Sequence, residues 1–156
     1  MKTATAVATK QSEGDSDKTV TKNIEIFYEN IPIKTVEQLE EIERWLDNKE
    51  NCMAVVRELS RIGGINLGQT VRKILYRVLS NEMANTFSWD GMKQKNAFKN
   101  LNSARAILEA VKMCYPLSKE IDIILVIKSW LVKAKERLKM KDGKEHEEAR
   151  EEVINE

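Results

Sequence analysis

At 156 residues the chain has the length of about one domain, and the roughly 120 residues from Ile24 to Lys141 suffice for one hydrophobic core. A hydrophobic content of 42% argues against disorder throughout, and 33% charged residues are typical of a water-exposed surface. The longest apolar run, Ile123 to Ile127, has five residues, so we expect no membrane span.

The cysteines indicate an intracellular, reducing compartment, because Cys52 and Cys114 are the only two. The first ten residues lack the apolar segment of a secretion signal, and no Asn-x-Ser/Thr acceptor occurs in the chain. We expect two free core thiols, while the sequence leaves a disulfide between them open.

The first part of the chain predicts a disordered tail followed by an extended arm. Residues 1–23 are rich in Thr, Ser, Ala, Lys and Asp and show no apolar periodicity. Ile24, Ile26 and Tyr28 then alternate, and Pro32 disfavours helix at the residue before it. We therefore expect a short strand or arm that packs onto the rest.

Apolar residues at helical spacing predict three helices in the next part. The first spans about 36–47, behind a capping box that begins at Thr35. The second ends at Gly63–Gly64, since glycine readily adopts the left-handed conformation after a helix. Asn66 caps the third helix.

The second half predicts two further helices separated by a long loop. Ser80 caps a short turn, and residues 85–100 are irregular. Asn102 caps the fourth helix, and Ser118 caps the fifth, which runs over about 119–141.

Together these elements predict an all-α domain over residues 24–141. We expect a compact bundle of about five helices with a short N-terminal extended arm and disordered termini. The flanking segments are the disordered tail, 1–23, and an acidic tail, 142–156.

The sequence predicts no enzyme, metal site or cofactor site. His146 is the only histidine and lies in the charged tail, so we expect neither a metal cluster nor a catalytic pairing. The glycines at 63, 64 and 68 lack the G-x-x-x-x-G-K-[ST] pattern of a phosphate loop. Carboxylates such as Glu40 and Glu43 are expected on a solvated helix face.

Two aromatic residues, Phe87 and Trp89, lie beside the Asp90–Gly91 turn of the long loop. They could stack on a base or on a side chain of a partner, or they could anchor the loop to the core. Anchoring is the commoner role of aromatic residues in a long loop, and it is the interpretation we prefer.

Positive charge is concentrated in the second half of the chain. Residues 91–141 carry twelve Lys and Arg against four Asp and Glu, a net +8, whereas residues 22–62 carry −3 and residues 142–156 carry −5. Three lysines share the long loop, and two rows of cations follow the last helix at helical spacing. The candidate nucleic-acid contacts are Lys93, Lys95, Lys99, Lys128, Lys133, Lys135, Arg137 and Lys139. The alternative is a lysine-rich surface that only keeps the protein in solution.

Six strings between residues 31 and 101 carry a family resemblance. They are IPIKTVEQLEEIE from Ile31, LSRIGG from Leu59, VRKIL from Val71, NEMA from Asn81, FSWDG from Phe87 and AFKNL from Ala97. In this order they resemble an uncharacterised insect domain family found in transposon-associated proteins. That resemblance spans most of residues 31–138 and implies no particular activity.

A weaker resemblance concerns VRKILYRVL from Val71, AFKNLN from Ala97 and ILEAVKMCYP from Ile107. These strings are similar to the BEN domain, an all-α module of chromatin and viral proteins that in several cases binds DNA. The resemblance implies a role for the 93–99 loop and for the helix from Lys119, and it identifies no individual contact.

We therefore expect a non-enzymatic, nuclear domain that binds DNA or chromatin through the basic loop and the last helix. Its partners would be double-stranded DNA or chromatin proteins, with no cofactor, metal or membrane. The alternative is a self-associating protein-interaction module, such as a homodimer in which an acidic first helix meets a basic last helix. Leu125 and Val132 lie off the core side of the last helix and would seal that contact.

Overall fold

The computed structural model describes residues 24–141, most of which are helical. Within that range the α-helices are α1 (24–30), α2 (Val36–Leu46), α3 (Lys49–Ser60), α4 (Leu67–Val78), α5 (Asn81–Ala84), α6 (Asn102–Cys114), α7 (Glu120–Val132) and α8 (134–141). The remaining elements are two strands that pair in parallel, β1 (Phe87–Ser88) and β2 (Asn96–Ala97), and a 3-10 turn, Phe98–Asn100. The tails predicted at 1–23 and 142–156 lie outside the described residues.

The prediction of a mostly helical chain is confirmed, but the predicted count of five helices is wrong, because residues 24–141 contain eight. The supposed arm forms α1. The turn after Ser80 closes into the four-residue α5, with the Ser80 hydroxyl accepting from the Met83 amide at 3.1 Å. The last predicted helix is interrupted at Lys133 and becomes α7 and α8.

Helix α1 replaces the predicted arm because its inward residues follow a helical period. Phe27 is buried in the core, with Ile24 and Ile31 partly buried beside it, whereas Ile26 and Tyr28 are exposed. Spacings of three and four residues put Ile24, Phe27 and Ile31 on one helix face. The alternation of Ile24, Ile26 and Tyr28 was therefore misleading.

The extended part of the predicted arm is limited to the residues just after α1. Ile33 is fully buried and forms a bridge with Leu79 at the end of α4. Its amide donates to the Val78 carbonyl at 2.8 Å, and its carbonyl accepts from the Ser80 amide at 3.1 Å. These bonds fix the entry to α2 against α4.

The interruption between α7 and α8 has a side-chain cause. The Trp130 carbonyl oxygen, which a continuous helix would offer to Ala134, accepts from Nη1 of Arg137 at 2.7 Å. Lys133 takes φ −81° and ψ −2° at this point. The predicted cap of the last helix is also wrong, since Ser118 donates its hydroxyl to the Tyr115 carbonyl and leaves α7 without a side-chain cap.

The first turn of α6 is capped from another helix rather than by Asn102. Asn102 is the first helical residue, and the carboxylate of Glu43 on α2 accepts from its amide at 2.6 Å. The same carboxylate accepts from the amide and the hydroxyl of Ser103, at 2.9 Å and 2.7 Å. Glu43 therefore bridges α2 and α6, and its predicted position on a solvated face is wrong.

The long loop over residues 85–100 is more regular than predicted, because its aromatic residues are built into the core. Phe87 and Phe98 are buried with their ring centroids 5.8 Å apart, and the half-buried Trp89 lies 6.3 Å from Phe98. The prediction that these aromatic residues anchor the loop is thus confirmed. Gly91 takes φ +80°, as the predicted turn requires.

Candidate nucleic-acid interface

The basic loop and the last helix meet at one carboxylate. The ammonium of Lys99 lies 3.2 Å from Oδ1 of Asp90, and the ammonium of Lys128 lies 3.7 Å from its Oδ2. All three side chains are partly exposed, so water screens both ion pairs. The shared contact brings cations from segments 29 residues apart onto one surface.

Backbone bonds hold the loop in place beside α7. The Lys99 amide donates to the Trp89 carbonyl at 3.2 Å, and the Met92 amide donates to the Ser88 hydroxyl at 2.7 Å. Lys93 takes φ +56° at the tip of the loop, where its side chain is exposed, and Lys95 is half-buried. The loop lysines thus project from an ordered segment.

One of the two predicted rows begins at Lys128, which belongs to this surface. On a single uninterrupted helix of 3.6 residues per turn, Lys128, Lys135 and Lys139 would fall within about 40° of one another; in the structure Lys128 lies on α7, and Lys135 and Lys139 lie on α8. Lys135 and Lys139 are exposed and have no ion-pair partner among residues 24–141. We use the name loop–helix surface for the group Lys93, Lys95, Lys99, Lys128, Lys135 and Lys139.

The other predicted row lies on a different side of the same helix. Lys133 is about 140° from Lys128 around the axis. It borders a groove of about 430 Å³ between α4 and α7–α8, here named the α4–α7 groove. The groove is lined by Arg72, Tyr76, Leu125, Val126, Ser129, Trp130, Lys133, Glu136, Arg137 and Met140. The eight predicted contacts therefore divide into two groups.

Arg137 is engaged within the fold. Its Nε donates to Oδ1 of Asn81 at 2.8 Å, and its guanidinium carbon lies 4.1 Å from the ring centroid of Trp130 and 5.5 Å from that of Tyr76. Burial lowers the pKa of the guanidinium from its usual value, and its electrostatic interaction with the Tyr76 phenol opposes that shift. Arg137 stabilises the junction of α5, α7 and α8, which leaves it poorly placed to contact phosphates.

The outward face of α4 carries cations that the sequence analysis did not select. Arg72 lines the α4–α7 groove, whereas Lys73 and Arg77 line a second hollow of about 420 Å³ together with Arg61 and Tyr28. The string VRKILYR showed these charges off the apolar face. Net charge by segment could not single them out, because α4 lies outside the charge-rich residues 91–141.

Three further observations on the described residues concern metal binding, the cysteines and the membrane. Residues 24–141 contain no group of three or more His, Cys, Asp or Glu side chains arranged to hold a metal ion. Cys52 and Cys114 are both free, and burial, with a smaller effect of Glu109, raises the pKa of the Cys52 thiol. None of the helices described is both long and apolar enough to cross a membrane.

Comparison with known proteins identifies one family. The family model described as "Domain of unknown function (DUF4806)" matches residues 17–110, which is more than half of the chain. No curated protein and no solved structure matches the chain. The matched range includes the basic loop and ends before α7 begins.

Proposed function

The chain belongs to that family, whose description gives no activity, and we propose from its own geometry that it is a non-enzymatic domain that binds double-stranded DNA. The interface is the loop–helix surface. The observation that carries the proposal is the pair of contacts from Lys99 and Lys128 to Asp90, which makes one surface out of two basic segments. Among the described residues, two of its six lysines form ion pairs, Lys99 and Lys128, and both pair with Asp90.

A surface of this charge favours phosphate contacts over base-specific ones. Lysines that neutralise phosphates release condensed counterions, which makes affinity strongly dependent on salt. The resemblance to the BEN domain supports the same function, with a nuclear location and chromatin proteins as further partners. The insect and transposon-associated likeness is compatible with that setting and adds no contact of its own.

Removing the helix part of the loop–helix surface should weaken DNA binding without unfolding the domain. If about five cations neutralise phosphates, log K should fall against log salt with a slope near −4.5, at about 0.9 per phosphate. Replacing Lys128, Lys135 and Lys139 together by glutamine should reduce that slope by about 2.7. Fluorescence anisotropy with a labelled duplex, titrated at several salt concentrations, measures both quantities.

The matched control removes the same charge elsewhere. Lys34, Lys49 and Arg57 are exposed on or beside α2 and α3, and their replacement by glutamine should leave the slope within about 1 of the parent value. If the two triple variants reduce the slope equally, DNA binding depends only on the net charge of the protein. A slope near zero for the parent protein would refute the proposal.

A second candidate function is self-association, favoured by an exposed apolar side of α7. Leu125 and Val132 are 54% and 72% exposed, and Ile121, also exposed, lies within about 40° of both around the helix. Exposed apolar stripes of this kind often seal contacts between proteins. They also lie next to the loop–helix surface, so a dimer would extend that surface.

The dimer hypothesis predicts that Val132→Glu keeps the protein monomeric. A charge at the centre of an apolar contact would be desolvated without a partner, and a dimer with an affinity of tens of micromolar would then be lost. Sedimentation velocity over a concentration series measures the mass. Lys73→Glu, on the outward face of α4, should change it little. A parent protein that stays monomeric throughout the series would contradict the hypothesis.

A further inference from the structure

The α4–α7 groove combines an apolar lining with fixed positive charge. Tyr76, Leu125 and Met140 line it and are each more than half exposed, with Met140 at 71%. Val126 and Trp130 lie deeper. Apolar side chains left open in a concave site favour a ligand that covers them.

Charge around the groove is of one dominant sign. Within residues 24–141, Arg72, Lys133 and Arg137 line it, against the single carboxylate of Glu136. The Arg137 guanidinium is held by Asn81 and by the Trp130 carbonyl, so its position is fixed before any ligand arrives. Its fixed charge adds to the positive potential of the groove, and direct pairing with a ligand is left to Arg72 and Lys133.

Two N–H groups at this place also lack acceptors. Nη2 of Arg137 and Nε1 of Trp130 are buried and have no hydrogen-bond partner among the described residues. Both residues line the groove. Buried donors without acceptors are costly, and a group bound beside them is one way in which that cost is offset.

We propose that the α4–α7 groove docks an acidic peptide segment of a partner protein, one that carries bulky apolar side chains next to its carboxylates. The apolar side chains would cover Leu125, Tyr76 and Met140, while the carboxylates pair with Arg72 and Lys133. Charge complementarity supports an anionic ligand, and the exposed apolar lining supports a peptide as that ligand. A nucleic-acid backbone has no bulky aliphatic side chains to cover that lining.

A second copy of this chain is a poorer occupant. The acidic face of α2 offers Glu37, Glu40 and Glu41, but Val36 is its only largely exposed apolar residue. Ile42 and Leu46 of that helix are buried in its own core. The helix therefore has the charge that the groove requires and lacks the apolar side chains.

The test uses the full chain and a fluorescently labelled synthetic helical peptide with leucines on one side and glutamates beside them. Binding is measured by anisotropy. Replacing the glutamates of the peptide by glutamine, or its leucines by serine, should each weaken binding roughly tenfold. The double variant Arg72→Glu, Lys133→Glu should weaken binding of the original peptide by at least about tenfold.

The matched control lies on the other side of the same helix. Lys128→Glu, Lys135→Glu reverses two charges of the loop–helix surface and should leave peptide affinity within about threefold, because exposed charges at this distance are largely screened. The same control variant should lose DNA binding. A failure of the proposed DNA function and a failure of the groove proposal are therefore separate results.

A charge-exchange experiment distinguishes a loss of charge complementarity from misfolding of the variant. A peptide with lysines in place of its glutamates should bind the Arg72→Glu, Lys133→Glu variant better than it binds the parent protein. Any of four results would overturn the proposal. Equal losses of peptide affinity in both double variants would identify general charge as the cause of binding, and peptide binding only after removal of residues 142–156 would identify the chain's own acidic segment as the occupant. Dimer formation that is lost on replacing Arg72 and Lys133 would identify a second copy, and displacement of the peptide by a single-stranded oligonucleotide would identify a nucleic acid.

Discussion

Replacing Glu43 with alanine is expected to lower the free energy of unfolding by about 2 kcal/mol, although this carboxylate lies on a largely polar helix face. The carboxylate accepts hydrogen bonds from the amides of Asn102 and Ser103 and from the Ser103 hydroxyl, at 2.6, 2.9 and 2.7 Å. It also places negative charge at the positive end of the α6 dipole. Removal leaves the first turn of α6 without a side-chain acceptor in a partly buried place.

A chemical denaturation curve, or a melting temperature lower by about 4–8 °C, would report the loss of Glu43. The matched control is Glu40→Ala on the same helix, where the side chain is exposed and a change within about 0.5 kcal/mol is expected. Glu43→Gln keeps one acceptor oxygen and should fall between the two. If Glu43→Ala and Glu40→Ala have the same melting temperature, the cap does not contribute to stability.

Replacing Phe98 with alanine is expected to cost about 3–5 kcal/mol, because a large side chain is removed from a fully packed site. Phe98 is 0% exposed, and its ring contacts Phe87 and Trp89 at centroid distances of 5.8 and 6.3 Å. This residue joins the basic loop to the core just before α6. The variant should therefore lose the position of Lys95 and Lys99 along with its stability.

Guanidinium denaturation of three variants separates these effects. Phe98→Leu keeps most of the volume and should cost about 1.5 kcal/mol or less, while Met92→Ala, in the exposed tip of the same loop, should cost about 0.5 kcal/mol or less. A cost for Phe98→Ala no larger than that for Met92→Ala would show that the loop does not depend on this anchor.

Local signals were sufficient where both partners lie within a few residues of each other. The capping box at Thr35 forms as predicted, with the Gln38 amide donating to the Thr35 hydroxyl at 3.1 Å. Asn66 accepts from the Gln69 amide at 2.9 Å, and Ser80 caps α5. Such motifs depend on backbone geometry over one turn, which the sequence specifies directly.

Contacts between distant segments could not be predicted in this way. Glu43 and Asn102 are 59 residues apart, so nothing near Asn102 shows that a carboxylate from α2 takes the place of its own cap. Arg137 counts as a surface cation by spacing, yet its bonds to Asn81 and Trp130 make it part of the fold. Both outcomes depend on which helices pack together, a property that periodicity does not encode.

The candidate site was predictable in composition and only partly in arrangement. Helical spacing grouped Lys128 with Lys135 and Lys139 and kept Lys133 apart from them, but it could not relate either row to the loop. The role of Asp90 as the link between Lys99 and Lys128 required the packed fold. The position of Arg72 in the α4–α7 groove could not be predicted from its neighbours in sequence, because the groove forms only where α4 and α7 pack together.

The division of the last helix into two cationic sides has a consequence for assembly. Lys128 and Lys133 lie about 140° apart around the axis of α7. A duplex and a peptide would therefore bind on different sides of this helix. If both proposed ligands bind, the domain would act as an adaptor that holds them in one ternary complex. Mixing both ligands with the full chain should give additive rather than competitive occupancy.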